Sequence, residues 1–377
     1  MIPSEEQRLI RETARAFAAD RITPFAAQWE ETASFPPGLF SEMGALGLLG
    51  MTVPEEWGGV GADYVAYAMA LEEISYGDGA LGIVMSGHNS VGCMPVLEYG
   101  TEAQKRTWLP RMARGEIMSA FALTEPQGGS DAGSLRARAV RDGDHYVLNG
   151  AKSFITSGSI ADVALILAST DPAAGKRGIS AFIVPTDTPG YRVLRVEKKL
   201  GQNASDTCQI ALDDLRLPLD ARLGEEGQGY RIALGNLEGG RIGIAAQGVG
   251  IARAALDAAL AYAQEREAFG KPIFEHQTVA FRLAEMATRI EVARQLTWHA
   301  AALRSAGERC LKEASMAKMM ATDMAEEVCS AAIQTFGGSG YLKDFPVERF
   351  YRAARGTRIY EGTNDIQKLV IAREIAG

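Results

Sequence analysis

The chain has 377 residues, 47% hydrophobic and 23% charged, with a formal net charge of -8. That length sustains two or three regions with sizeable cores, and the acidic balance argues against nucleic acid as a main partner. No apolar run of membrane-spanning length is evident. The opening MIPSEEQRLIRETARAF lacks a signal peptide's apolar core and, with Glu5, Glu6 and Glu12, is too acidic for a transit segment. The expectation is a soluble protein without a membrane partner, cytoplasmic by preference or else the processed form of an organelle enzyme.

The first third reads as helices. Ser4 and Gln7 fit a capping box ahead of Leu9, Ile10, Ala14 and Phe17 at helical spacing, and Thr101 with Gln104 repeats the device before a helix ending near Gly115. Between them lie the turn-rich VPEEWGGVGADY (53–64) and a long apolar stretch, 65–97, broken by glycines. From about 119 the period changes. YVLNGAKSFIT (146–156), VALILAST (163–170), ISAFIVP (179–185), YRVLRVE (191–197) and TCQIALDDLRLP (207–218) are short and β-branched, with turn residues between them. Strands without intervening helices predict an antiparallel sheet or barrel rather than a parallel one.

Helices return after Gly229. Val279, Leu283, Met286, Ile290, Ala293, Leu296, Ala300 and Leu303 step by threes and fours along one bundle seam, and a further helix is predicted from Leu311 to about Thr335, ending at Gly337-Gly338. Its Met316, Met319, Met320 and Met324 read as core filling. The fold class is therefore α+β in three regions: an N-terminal α-helical domain (1–118), a middle antiparallel β domain (119–224) and a C-terminal four-helix bundle (225–377).

Several familiar devices are missing. The cysteines Cys93, Cys208, Cys310 and Cys329 are scattered without a CxxC, and His88, His145, His276 and His299 never come at HxxxH spacing, so no metal site is predicted. No GxGxxG follows a strand, no phosphate loop of the GxxxxGK[ST] type exists, and Ser130 and Ser339 lie outside any GxSxG elbow. Two segments remain. FALTEPQGGSDAG (121–133), placed between a helix and the first strand, carries Gly128 and Gly129 with Thr124 and Ser130; it reads either as an anion-cradling loop or as an ordinary connection. In IYEGTNDIQ (359–367), Glu361 sits on a turn, and Thr363 or Asn364 caps the last helix.

Together with KSFITSG (152–158), RIGIAAQGVGIARAALD (241–257), EREAFGKPIFEHQ (265–277), QTFGGSGYLKDFPVERFYR (334–352) and IYEGTNDIQKLVIAR (359–373), these segments resemble, in order, the signatures of acyl-CoA dehydrogenases. The resemblance covers essentially the whole chain and implies FAD as cofactor, an acyl-CoA substrate, an electron-transferring flavoprotein as electron acceptor and a homotetramer. By similarity, Phe121, Leu123 and Thr124 line the flavin ring, with Gly129 in the same loop, and Ser130 lies near the pyrophosphate and the CoA arm. Phe154, Ile155 and Thr156 cover the ring's other side, where the family often has Trp instead of Phe154. Arg266, Phe269 and Gln277 match adenine and diphosphate contacts. Gln334, Gly337 and Gly338 match a strip supplied by a neighbouring subunit, and Thr363 and Asn364 are carried over with the cofactor set. Glu238 and Arg241 match contacts on the CoA side, although most relatives have Asp where Glu238 stands.

Glu361 matches the family's base. The resemblance implies that it removes the α-proton while the Glu361 backbone N–H and a flavin ribityl hydroxyl stabilise the enolate, with Gly362 beside the substrate. The β-hydrogen then passes as hydride to flavin N5, leaving the trans-2-enoyl thioester. Isovaleryl-CoA dehydrogenases place their base at the position of Gly240, so glycine there points to the short- and medium-chain arrangement. LEGGRIGIA (237–245) looks most like short-chain and short-branched-chain members, whose pathways are fatty acid β-oxidation and branched-chain amino acid catabolism. Glutaryl-CoA dehydrogenases have Arg at Gly82, which disfavours a dicarboxylyl substrate here. Ala353, Gly356 and Arg358 depart from the usual pattern; they are either neutral surface changes or a reshaped mouth of the acyl pocket. Rival readings are an acyl-CoA oxidase, another altered-chemistry member of the scaffold, or a DNA-associated flavoprotein. Oxidases run longer, and the DNA-associated branch is basic with extra C-terminal sequence.

Overall fold

In the computed structural model, which describes residues 1–377, the capping signals start their helices as the sequence predicts. The Ser4 hydroxyl accepts from the Gln7 N–H while the Gln7 side chain accepts from the Ser4 N–H, opening α1 (Glu5–Phe17). A wide turn over Ala18–Ile22 leads to α2 (Ala26–Thr32) and α3 (Leu39–Ala45). The apolar stretch 65–97 becomes α4 (Tyr64–Gly77) and α5 (Gly79–Gly87), separated at Asp78, whose carboxylate caps α5 through the Ala80 and Leu81 N–H groups. A second wide turn, His88–Cys93, joins α5 to α6 (Met94–Tyr99), and Thr101 with Gln104 boxes the start of α7 (Glu102–Ala113).

The middle region is one sheet. Its strands are β1 (Ser119–Ala122), β2 (Arg138–Asp142), β3 (His145–Thr156), β4 (Val163–Ser169), β5 (Ile179–Pro185), β6 (Tyr191–Val196), β7 (Thr207–Pro218) and β8 (Arg222–Leu223). They run in the order β6-β7-β3-β2-β4-β5-β8, with β1 added on β4. The expectation of a wholly antiparallel sheet is corrected in two places. Strand β1 pairs with β4 in parallel, Ser119 opposite Val163, and β2 touches β4 in parallel at Arg138 and Ser169. A parallel pair needs a long crossover, and here the β2–β3 hairpin serves instead of a helix. The segment 121–133 consequently begins inside a strand rather than before the first one.

The C-terminal region holds α8 (Gly229–Glu265), the small hairpin β9 (Glu267–Ala268) and β10 (Lys271–Pro272), then α9 (Gln277–Ser305), α10 (Leu311–Phe336), α11 (Val347–Thr357) and α12 (Asn364–Ala376). Along α9, Leu283, Met286, Ile290, Ala293 and Ala300 are buried as predicted, while Val279, Leu296 and Leu303 are half-buried. On α10 the seam is made by Ala314, Ala317, Ala321, Ala325 and Ala332; of its predicted methionines only Met324 is fully buried. Small residues let α8 and α10 approach closely, and a methyl on Gly248 would lie 3.0 Å from the Ala321 carbonyl oxygen. Two helical stretches, Gly79–Tyr99 and α8, are long and apolar enough to span a bilayer, a length the sequence reading missed. Most of each window is buried inside the protein, α8 against α4 and α10, which is where core helices put such surface. One apolar core joins the N-terminal helices to α8, α9 and α10, and two smaller ones lie on the faces of the sheet.

Candidate active site

Helix α11 ends at Thr357, and the chain turns back through 358–363 before α12. Glu361 and Gly362 both take left-handed backbone, φ +55° and +82°. For glycine this is free; for glutamate it is strained and must be held by its surroundings. The holders are identifiable. The Asn364 N–H donates to the Arg358 carbonyl at 3.0 Å, and the Gln367 amide donates to the carbonyls of Glu361 and Gly362 at 3.1 and 3.0 Å. Of the two capping candidates Thr363 does the work, accepting from the Ile366 N–H, while Asn364 turns inward to Thr322 and Asp323 on α10.

Glu361 thereby aims its carboxylate at α8. A methyl carbon on Gly240 would lie 3.0 Å from Glu361 Cδ, Oε1 and Oε2, so glycine at that position makes room for the acid. The residue keeps some exposure, yet its Oε2 atom is shut off from solvent with no donor in reach. Burial pushes the carboxyl up to about 7, against the opposing charges of Arg241 and Lys318. Its backbone N–H finds no acceptor within the chain. A dry carboxylate and a free amide on one residue form a proton acceptor beside an oxyanion donor.

Around this turn, Tyr360 accepts from the Gln202 amide at 2.9 Å and donates to the Gln247 side-chain oxygen at 2.9 Å, and Gln247 in turn donates to the Gly79 carbonyl at 2.7 Å. Gln202 belongs to the loop before β7, where the Ser157 N–H reaches the Asp206 carbonyl and Thr156 pairs with Thr207. The end of β3, with Phe154, Ile155 and Thr156, is thus tied to the turn that carries Glu361. Arg241 is buried on α8 with one bond to Ser315 at 3.3 Å and its Nε unpartnered. Glu238 is engaged within the chain, by Arg304 at 3.3 Å and the Cys310 thiol at 3.7 Å. Arg358 turns to Asp323, at 2.7 Å, and to Glu326 on α10.

Phe121, Leu123 and Thr124 follow one another at the end of β1, and the Thr124 N–H has no acceptor in the chain. Gly129 and Ser130 are exposed beyond them. Neither Gly128 nor Gly129 adopts left-handed backbone, and the loop is built on Glu125, a residue the sequence reading passed over. Glu125 accepts from the Arg136 and Ala137 N–H groups at 2.7 and 3.0 Å and from Lys152 at 2.8 Å, and Lys152 also reaches the Leu123 carbonyl at 3.1 Å. Both side chains are buried, and burial draws Lys152 down to about 8 although Glu125 holds it up. An acid inside 121–133 and a lysine at the centre of 146–156 were the available signals; nothing local showed that they meet.

The remaining predicted contacts do not converge on Glu361. Arg266 closes α8, Phe269 tips the β9–β10 hairpin and Gln277 opens α9. Gln334, Gly337 and Gly338 lie at the far end of α10, near that hairpin's side of the bundle, where Tyr262 stacks on Phe336. Gly240 and Arg266 are separated along α8 by roughly 40 Å at 1.5 Å per residue. The Glu361 turn and the Arg266 set are therefore well separated along α8.

Models of the acyl-CoA dehydrogenase N-terminal, middle and C-terminal domains match residues 4–116, 120–215 and 227–376. The chain belongs to the acyl-CoA dehydrogenase family. It is 49% identical to an acyl-CoA dehydrogenase of Bacillus subtilis (strain 168) over 99% of both chains, and 47% identical to the mitochondrial short-chain specific acyl-CoA dehydrogenase of Homo sapiens, over 98% of this chain and 89% of that one. The butyryl-CoA dehydrogenase of Megasphaera elsdenii superposes with a TM-score of 0.98 at 38% identity, covering both chains completely. As a family member the protein is a flavin-linked oxidoreductase acting on acyl-CoA, with FAD as its cofactor. The residues present suit a large planar aromatic ligand. Phe154 is 67% exposed at φ +58°, and Phe269 is 96% exposed at φ +53°. Both phenylalanines present large apolar rings to the surface from left-handed backbone.

Proposed function

We propose that this acyl-CoA dehydrogenase converts a short-chain acyl-CoA to its trans-2-enoyl-CoA with Glu361 as the base. The observation that carries this reading is the Glu361 carboxylate, dry at Oε2, raised to about 7 and fitted against Gly240. An ordinary carboxylate is far too weak to take a proton from carbon next to a thioester. Loss of water raises the basicity of Glu361, and its own unbonded N–H can receive the thioester oxygen as charge moves there. The α C–H bond breaks, its electron pair enters the new double bond, and the proton ends on a Glu361 oxygen. FAD, when bound, supplies the acceptor for the β-hydrogen and its electron pair.

Phe121, Leu123, Thr124, Gly129, Ser130, Phe154, Ile155 and Thr156 are the residues proposed to hold FAD from one subunit. Arg266, Phe269, Gln277, Gln334, Gly337 and Gly338 are proposed to hold it from a neighbour in a homotetramer. Thr363 and Asn364 serve through the turn they fix, and Arg241, Glu238 and Gly362 flank the substrate, Glu238 through its pair with Arg304. The boundaries 1–118, 119–224 and 225–377 are proposed as the domain limits. Short acyl length is supported by the relatives' names and by close packing one turn along α8. There, a methyl on Gly243 would lie 2.2 Å from the Ser86 hydroxyl and 2.7 Å from that of Tyr67. An electron-transferring flavoprotein as acceptor, a cytoplasmic location, and a place in β-oxidation or branched-chain catabolism complete the proposal, all by family likeness.

Anaerobic mixing of holoenzyme with butyryl-, hexanoyl-, octanoyl-, dodecanoyl-, isobutyryl- and 2-methylbutyryl-CoA tests it by bleaching of the flavin absorbance. The strongest response is expected with butyryl- or hexanoyl-CoA. Absence of bleaching with every saturated acyl-CoA would remove the assignment, and rapid oxygen consumption with butyryl-CoA would favour an oxidase.

A further inference from the structure

We infer that Lys318 is a positioning residue for this reaction: it holds the Glu361–Asn364 turn from within the bundle and supplies a buried positive charge that favours the ionised base. The inference rests on the reading of Glu361 as the base. Lys318 lies in the first third of α10 with no solvent exposure at all. Its ammonium donates to the Gly362 carbonyl at 2.9 Å and to the Asn364 side-chain oxygen at 2.9 Å. Asn364 is itself fixed by donating to Thr322 Oγ1 at 3.0 Å and to Asp323 at 2.8 Å, and the Gly362 carbonyl also receives the Gln367 amide. Both partners of Lys318 are acceptors. That environment suits an ammonium, which has only donors, and would set the lone pair of a neutral amine against oxygen.

Filling space does not explain a lysine here. A methionine of similar length avoids the cost of burying a charge, and α10 carries four of them nearby, Met316, Met319, Met320 and Met324. The charged groups facing Lys318 are Glu361 and Asp323, with Arg241 and Arg358 of like sign. Asp323 is already paired with Arg358. This leaves Glu361 as the carboxylate whose charge Lys318 and Arg241 jointly balance. Burial draws Lys318 down to about 7 and Glu361 opposes that shift more than any other group; Lys318 in return opposes the upward shift of Glu361.

The test is the pH dependence of kcat/KM with butyryl-CoA in FAD-loaded Lys318→Met and Lys318→Arg. Lys318→Met is expected to lower kcat about 10- to 100-fold with little change in KM, as a displaced base does. Its acid limb is expected to move upward by about one pH unit, because an opposite charge near the carboxylate is gone. Lys318→Arg is expected to bring the limb back towards the parent's. If Lys318→Met does not load flavin, Lys318→Gln keeps N–H donors without the charge and carries the same expectation. An unmoved acid limb, with or without a fall in kcat, overturns the inference, since a turn merely displaced slows the reaction equally at every pH. Failure of the parent enzyme to turn over any acyl-CoA would strike the underlying assignment instead.

Discussion

The turn that carries Glu361 and the surface that carries Phe154 and Phe269 use the same left-handed backbone to opposite ends. At Glu361 the strain is held entirely from inside one chain, by Gln367, Lys318, Asn364 and the Tyr360 network. At Phe154 and Phe269 the same strain leaves large apolar rings facing outward. On the function proposed above, the proton-handling half of the site is held within one protomer, and the cofactor-handling half is the one proposed to need a neighbour. Strain persists where surroundings over-determine it; within the chain, Glu361 has such surroundings, and the two outward phenylalanine rings do not.

The sharpest way to break this contrast is Glu361→Gln. It should cost about 10³- to 10⁴-fold in kcat while flavin content stays at the parent level; a loss of flavin instead would mean that the two halves are not separable. The same variant has a stability signature. Because the folded-state value of Glu361 is raised to about 7, its ionisation opposes folding. The stability it allows is present at low pH and is lost as pH rises through about 7, so Glu361→Gln should gain over the parent in melting temperature at pH 8 but not at pH 5. Next in size, Lys152→Met strands Glu125 and should destabilise by about 3–5 kcal/mol, read from urea unfolding of the holoenzyme. Gly240→Ala should lower kcat about 100-fold with little change in melting temperature, since the added methyl meets the carboxylate itself. Smallest, Phe154→Gly should stabilise the flavin-depleted protein by about 1 kcal/mol by relieving the backbone, and weaken FAD retention at the same time. Stabilisation of flavin-depleted and FAD-loaded protein alike would show that the ring has no covering ligand.

Local signals carried much of the fold. Ser4, Thr101 and Thr363 start helices through bonds to residues three positions on, and such caps are visible in sequence. Strand β1 was not visible: four residues long, it exists because β4 lies beside it. Glu361 could be picked out from the order of the motifs, but Lys318 could not. It sits in a helix rich in alanine and methionine and looks like a solvated lysine until Gly362, distant in the chain, is folded against it. Arg358 shows the same limit, because its pairing with Asp323 and Glu326 belongs to the packing of α10 against the turn. Backbone strain at Phe154 and Phe269 was equally hidden, since neither residue is of a type that announces a positive φ.

The notch at Gly240 has a consequence for how such an enzyme can change. Side-chain atoms grown from that helix would head into the space now filled by the tip of Glu361. Two places far apart in the polypeptide therefore compete to furnish one and the same carboxylate. If Glu361 is the base, as proposed, a lineage could hand that job from the loop to the helix while the reacting carbon stays where it is.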